Sequence, residues 1–372
     1  MSIERSDVER FDYDTVALEE TQQPFGGQGK KPALKIIDQT RLPGKVEFLS
    51  LTSLEDIREA IYLLKVRGAP AIGVAAAIGI YVVSSSFEMK DYGEFETAFE
   101  AVRERLASSR PTAVNLTWAL DRMADVVKGS RGRSVEEVKI LLREEAIKIR
   151  DEDIVSCRKI GEYGLTLIKD GYGILTHCNA GQLAAVRYGT ALAPIHLGRE
   201  RGYRLRVYAD ETRPLLQGAR LTAFELCAAG IDTTLICDNM ASVVMKNGWV
   251  NAVFAGCDRM AANGDACNKI GTSAVAILAR YYNIPFYICL PFSTIDMNIK
   301  TGAGIVIEER KGEEITEMWY RDPMAPSGVK VFNPAFDLTE NELISAIITE
   351  RGIIYPPYEK NLLRLSGLHN FH

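Results

Sequence analysis

The chain has 372 residues, 47% hydrophobic and 25% charged, which suits a globular protein of two or three domains. Lys plus Arg total 44 against 49 Asp plus Glu, a net charge of −5 that gives no reason to expect nucleic acid or an anionic membrane as partner. Any anion site must therefore be assembled locally, from a few placed Arg, Lys and backbone N–H groups.

Met1 to Arg10 is charged and has no apolar core, so it does not read as a signal peptide, and the expected compartment is the cytoplasm. Residues 1–34 are polar, contain Gly26-Gly27-Gln28-Gly29, and read as an extended arm without regular structure. Leu34 to Phe48 alternates and turns at Pro43-Gly44, which predicts a β-hairpin. From Ser53 to Arg150 the spacing is mostly helical. Ser53-x-x-Asp56 opens one helix as a variant capping box, and Ser134 to Glu137 opens another as a true one. Ala69 to Ser84 is rich in Ala and Gly and reads as a buried helix, and no apolar stretch approaches the roughly 20 residues of a bilayer span. The region 35–150 is thus expected to be a smaller, mainly helical N-terminal domain carrying the hairpin. The boundary is expected within Asp151 to Gly171, with 151–372 as the second domain.

The second half changes character. Short apolar runs at Gly173–Thr176, Leu205–Ala209, Thr233–Cys237, Val250–Ala255 and Phe286–Leu290 each lead into a polar cluster and then a helical stretch. Strands alternating with helices predict an α/β fold with a parallel sheet. Ligands bind such sheets outside the carboxyl ends of the strands, where these polar clusters lie.

Cys178, in Thr176-His177-Cys178-Asn179, ends the first of these strands. A thiol there, facing a helix N-terminus, can be activated; the alternative is a buried structural cysteine. Asp258 ends another strand, where it could serve as a general acid/base or cap the next helix. Arg67-Gly68-Ala69-Pro70 precedes the Ala-rich helix, so small residues and a helix start accompany an Arg able to clamp an anion. Arg110-Pro111-Thr112 repeats the idea, with a surface Arg in a loop as its alternative. Asn268-Lys269-Ile270-Gly271 also looks anion-friendly, its alternative being a solvated Lys beside a turn. No P-loop is present and no GxGxxG stands between a strand and a helix, which weakens nucleotide and dinucleotide chemistry. The seven cysteines (157, 178, 227, 237, 257, 267 and 289) form no CxxC pair, and two of the four histidines fall in the last four residues. This suits a reducing compartment and offers little for a metal site or a His triad; no metal is expected.

Taken together, IDQTRLPG from Ile37, VRGAPAIG from Val66, RPTAVNL from Arg110, ILTHCNAG from Ile174, YADETRPLLQGARLTAFEL from Tyr208, DRMAANGDACNKIGT from Asp258 and PFSTIDM from Pro291 resemble, in order, the methylthioribose-1-phosphate isomerase family. The resemblance spans roughly Leu34 to Pro357. It implies a Rossmann-like C-terminal domain, a homodimer, no cofactor, and a sugar-phosphate substrate turned over in methionine salvage. It assigns catalysis to Cys178 and Asp258, and substrate or phosphate binding to Arg67, Gly68, Ala69, Arg110, Gln217, Asn268 and Lys269. Cys257 stands where the family pattern leads one to expect a smaller residue, and Cys267 is also unusual. The wider superfamily offers two alternatives, a ribose 1,5-bisphosphate isomerase and a non-catalytic regulatory subunit of a translation initiation exchange factor.

Overall fold

A computed structural model describes residues 13–22, 30–110 and 113–367. The chain forms two compact units, Met1–Arg158 with Gln182–Gly189, and Lys159–Gly181 with Thr190–His372.

The first unit opens on an antiparallel sheet of β1 (Val16–Gln22), β2 (Lys30–Ile37) and β3 (Phe48–Leu51), in that order. The expected hairpin is present: Ile37 pairs with Phe48, and residues 38–47 join the strands. The arm, in contrast, is not irregular. It carries β1, which pairs with β2 from Val16↔Ile36 onward and turns Val16 and Leu18 toward the core. Glu19 and Glu20 give it the polar character that masks it in the sequence. The Gly26–Gly29 run lies outside the described residues.

Five helices follow: α1 (Leu54–Tyr62), α2 (Ala69–Ser85), α3 (Tyr92–Ala107), α4 (Val114–Lys128) and α5 (Val135–Leu165). Both capping boxes form. The Asp56 N–H donates to Ser53 Oγ at 3.2 Å, and the Ser134 N–H donates to Glu137 Oε2 at 2.9 Å. Helix α2 is buried from Ala71 to Ser84, sheathed by α1, α3, α4 and β2. No helix among the described residues is long and apolar enough to cross a membrane.

The second unit is built on a seven-stranded sheet. Its strands are β4 (Gly173–His177), β5 (Arg206–Asp210), β6 (Asp232–Ile236), β7 (Ala252–Ala255), β10 (Phe286–Cys289), β13 (Ala346–Thr349) and β14 (Gly352–Ile354). The order is β14-β13-β10-β7-β4-β5-β6, all parallel except β14 against β13. Numbered along the chain, the six parallel strands run 3-2-1-4-5-6, the order of a doubly wound dinucleotide-binding sheet. Strands β4 and β7 are buried at every position, which is why they read as unbroken apolar runs. A second sheet, β11-β8-β9-β12, contains β8 (Arg259–Ala261), β9 (Ala266–Lys269), β11 (Ile295–Asp296) and β12 (Phe336–Thr339). It occupies the stretch after Asp258 where the helix-cap reading expects a helix. The remaining helices are α6 (Ala193–Glu200), α7 (Ala223–Ala228), α8 (Ala241–Lys246), α9 (Thr272–Tyr281), α10 (Glu313–Thr316) and α11 (Tyr358–Ser366).

Candidate active site

Chain order reverses between β4 and β7, neighbours in the sheet whose register brings His177 opposite Ala255. A crevice opens at such a reversal because the two strands send their following segments in opposite directions. Cys178 is the first residue beyond β4, and Asp258 stands three residues beyond β7. The fold thus delivers the two chemically able groups, eighty positions apart in sequence, to adjacent strand ends.

The backbone at Cys178 is left-handed, φ 64°, and the residue is 8% exposed. Its N–H donates to Thr212 Oγ1 at 2.9 Å, and its carbonyl accepts from Thr222 Oγ1 at 2.6 Å. Thr212 is itself left-handed, φ 65°. A non-glycine residue held there costs on the order of 1–3 kcal/mol, and a β-branched one is a rarer outlier still. Thr212 is held by Asp238, whose two carboxylate oxygens accept the N–H groups of Thr212 and Arg213 at 2.7 Å each. Thr222 closes a π-helical turn, Gly218–Thr222, a distortion frequent at functional sites. Gly218 makes that turn possible: a Cβ there would lie 1.6 Å from the Asp210 carbonyl oxygen. Behind Cys178 the chain continues into a short 3-10 turn, Gln182–Ala184, and the Cys178 peptide is held by the two threonine hydroxyls.

Sequence counting undervalues the histidines. His369 and His372 lie outside the described residues, but the other two both meet buried carboxylates around the Cys178 loop. His177 Nδ1 lies 2.9 Å from Asp210 Oδ2, and its Nε2 lies 2.8 Å from the Ile270 carbonyl oxygen. Burial works against a charged His177 ring, but the Asp210 carboxylate, with Asp238 beyond it, outweighs burial and raises the ring above its ordinary value. Burial raises Asp210 in turn. On the other flank Asn179 Nδ2 donates to the fully buried Glu225, and His196 Nε2 lies 3.4 Å from Glu225 Oε2. Ligand atoms of His177, Asp210 and Asp238 fall within 4.8 Å of one another, yet each is engaged in the hydrogen bonds just described. That is the pattern of a positioning network rather than of a ligand set.

The remaining sequence-predicted residues divide between the units. In the second, Gln217 is buried and its Oε1 has no hydrogen-bond partner. Asn268 and Lys269 lie on β9 and are buried, which removes the solvated-turn alternative for Lys269. Asn268 Nδ2 donates to Thr272 Oγ1 at 2.9 Å, and Lys269 Nζ sits 4.5 Å from the centre of the Phe336 ring. This segment touches both strand ends: the Asp258 N–H donates to the Cys267 carbonyl at 2.9 Å, and Ile270 accepts from His177. Cys257 and Cys267, the unusual thiols, are raised by burial, Cys267 to about 12, so neither is a reactive thiolate.

In the first unit, Arg67 is half-buried beside Gly68, the N-cap of α2. Gly68 has φ 92°, and a Cβ there would lie 2.4 Å from Ala184 Cα, so only glycine fits. No side chain caps this helix start, and Ala69 and Pro70 follow without bulk. That is the composition of an anion-binding helix N-terminus. Arg110 is half-buried and its carbonyl accepts the Ala113 N–H at 3.0 Å; Pro111 and Thr112 lie outside the described residues.

The model of the initiation factor 2 subunit family matches residues 65–356. Among curated relatives, the methylthioribose-1-phosphate isomerase of Symbiobacterium thermophilum is 63% identical over 333 residues, covering 90% of this chain and 93% of that protein. The 5-deoxyribose 1-phosphate isomerase of Petrotoga mobilis is 55% identical, covering 90% of this chain and 96% of that protein. Among solved structures, the 5-methylthioribose 1-phosphate isomerase of Pyrococcus horikoshii superposes with a TM-score of 0.88 at 40% identity, covering 98% of each chain. A family match over most of the chain, near-full-length relatives of one reaction type and a thiol–carboxylate pair at the sheet's reversal point agree: this protein belongs to the initiation factor 2 subunit family and is one of its isomerases.

Proposed function

We propose that the protein converts S-methyl-5-thioribose 1-phosphate to S-methyl-5-thioribulose 1-phosphate in methionine salvage, with Cys178 and Asp258 as the catalytic pair. The observation that carries this reading is their placement on adjacent strand ends where chain order reverses. The chemistry needs two such groups. A phosphate on C1 blocks ordinary opening to a free aldehyde, so an acid must protonate the ring oxygen as the ring opens. A second group must then assist transfer of hydrogen from C2 to C1. Asp258, half-buried, takes the proton handling. Cys178 flanks the carbon centre. Gln217, with its unpartnered Oε1, accepts from a sugar hydroxyl, and Asn268 and Lys269 complete the polar lining. Arg67, the backbone at Gly68 and Ala69, and Arg110 bind the phosphate. In this reading residues 151–372 form the Rossmann-like catalytic domain, and the enzyme works as a cytoplasmic homodimer.

A family member that only regulates has no use for a thiol and a carboxylate at these two positions. A 5-deoxyribose 1-phosphate isomerase is the nearer competitor: the two sugars share the C1 phosphate and an apolar C5, and relatives of both names exceed 50% identity. A coupled assay run in parallel on both sugars and on ribose 1,5-bisphosphate decides. The highest kcat/KM is expected for the methylthio sugar. Absence of ketose from folded protein on all three would leave the regulatory reading standing, and faster turnover of either other sugar would reassign the substrate.

The phosphate assignment has its own test. Arg67→Ala is expected to raise KM strongly, since a charge-assisted contact able to be bidentate is lost. Inorganic phosphate should compete with substrate in the wild type and far less in the variant. Equal inhibition of the two proteins would leave Arg67 as a helix-flanking arginine.

A further inference from the structure

We infer that Thr212 and Thr222 are positioning residues whose hydroxyls hold the Cys178 peptide in its left-handed conformation and so set the place of the thiol. The inference rests on the assignment of Cys178 to catalysis and adds how the fold keeps that residue in an unfavourable backbone region.

Each polar atom of the Cys178 backbone goes to a threonine. The N–H meets Thr212 Oγ1 at 2.9 Å, and the carbonyl meets Thr222 Oγ1 at 2.6 Å. Directionality is forced. Thr212 Oγ1 accepts the Cys178 N–H and donates its own hydrogen to the Asp210 carbonyl at 3.0 Å. Thr222 Oγ1 donates to the Cys178 carbonyl and accepts from Asn179 Nδ2 at 3.2 Å. Both hydroxyls are therefore used as donor and as acceptor, which a hydroxyl can do and neither a methyl nor an amide can reproduce in that space. Both threonines are fully buried.

The surroundings are shaped to present these hydroxyls. Thr212 takes a backbone region that β-branched residues avoid, and Asp238 fixes it there through two N–H groups. Thr222 reaches Cys178 from a π-helical turn that only a glycine at 218 permits. Two costly local distortions converge on one peptide, which is the pattern expected where strain is retained for function.

The test compares Thr212→Val and Thr222→Val, near-isosteric but without the hydroxyl, with Thr212→Ser and Thr222→Ser. Steady-state turnover of methylthioribose 1-phosphate is one readout. The other is iodoacetamide alkylation of Cys178, followed by peptide mass spectrometry with the exposed Cys227 and Cys237 as internal controls. Misplacement of a reacting group by about 1 Å costs about 10²-fold, so each Val variant is expected to lose about that factor in kcat with little change in KM. Each is also expected to change the Cys178 alkylation rate while the control rates hold. The Ser variants should recover most of kcat and the wild-type alkylation rate. If a Val variant does not fold, Thr222→Ala against Thr222→Ser carries the comparison. Val variants with wild-type kcat and wild-type Cys178 alkylation would overturn the clamp. Failure of the wild type to turn over any sugar would instead remove the catalytic reading, and the alkylation comparison would still judge the clamp.

Discussion

Cys178→Ser and Asp258→Asn are each expected to fold as the wild type does and to lose about 10²–10⁴-fold in kcat, the usual contribution of a general acid–base group. The structure separates this outcome from the two bland readings of these residues. Asp258 cannot be a helix cap, because β8 and not a helix follows it. Its backbone N–H already serves the Cys267 carbonyl, so loss of the carboxylate charge leaves no helix end uncovered. Cys178 is buried, but its peptide bonds to the two threonines do not depend on the side chain, and the smaller polar Ser keeps both. Circular dichroism and a thermal melt establish folding, and steady-state kinetics establish the loss. Near-wild-type turnover in either variant would end that residue's catalytic role. A collapse of folding in Cys178→Ser would return the residue to the structural reading.

How much of this is legible before the fold is known depends on the range over which the deciding interaction acts. The ends of β4 and β7, and with them the mostly buried β5 and β10, are legible because a strand buried on both faces must be an apolar run, and the polar residue after it marks the exit; the edge strand β6, exposed over most of its length, is legible only by its place in the alternation of strands and helices. Cys178 and Asp258 follow from that rule and gain their roles from the resemblance. Gln217 rests on the resemblance alone, while Asn268 and Lys269 also show as an anion-friendly pattern whose alternative, a solvated Lys, the pattern cannot dismiss. Thr212 illustrates what stays hidden. The cluster Asp210-Glu211-Thr212-Arg213 reads as a polar strand end, but local propensity argues against a left-handed threonine. Asp238, twenty-six positions on, holds it there by accepting its N–H. β1 is hidden for a different reason: one face of an edge strand is solvated, and its glutamates resemble a polar arm. The histidine count misleads because a positioning network needs one imidazole per carboxylate, not a cluster.

The second large effect is expected from the His177–Asp210 pair, and it concerns stability. The Ile270 carbonyl can only accept, so His177 Nε2 carries a hydrogen. The 2.9 Å contact between Nδ1 and Asp210 Oδ2 then needs one further shared proton. The other charged groups bearing on the pair are Asp238, Glu211 and, facing His177 from β12, Asp337, all acidic, and they help the pair retain that proton. In the unfolded chain an ordinary imidazole releases it near pH 6.5. The folded pKa of His177 is raised, so the contribution is fully present below about pH 6.5 and is lost as pH rises through the folded value, by up to about 1.4 kcal/mol per pH unit. His177→Leu strands a buried carboxylate whose Oδ1 already has no partner. Breaking a buried pair in this way costs about 3–5 kcal/mol. A fall in Tm of roughly 6–20 °C is expected for a unit of this size. Asp210→Asn behaves differently. An Asn amide donates to Nδ1 of a neutral ring, so both ring nitrogens remain satisfied without the extra proton. Its stability should therefore lack the pair's pH dependence, and the gap between wild type and Asp210→Asn should narrow as pH rises from about 6.5 to 8.5. Denaturant melts of the three proteins across that range measure it. Parallel curves for wild type and Asp210→Asn would show that the pair holds no extra proton, as a neutral Nδ1–H tautomer beside an ionised carboxylate would.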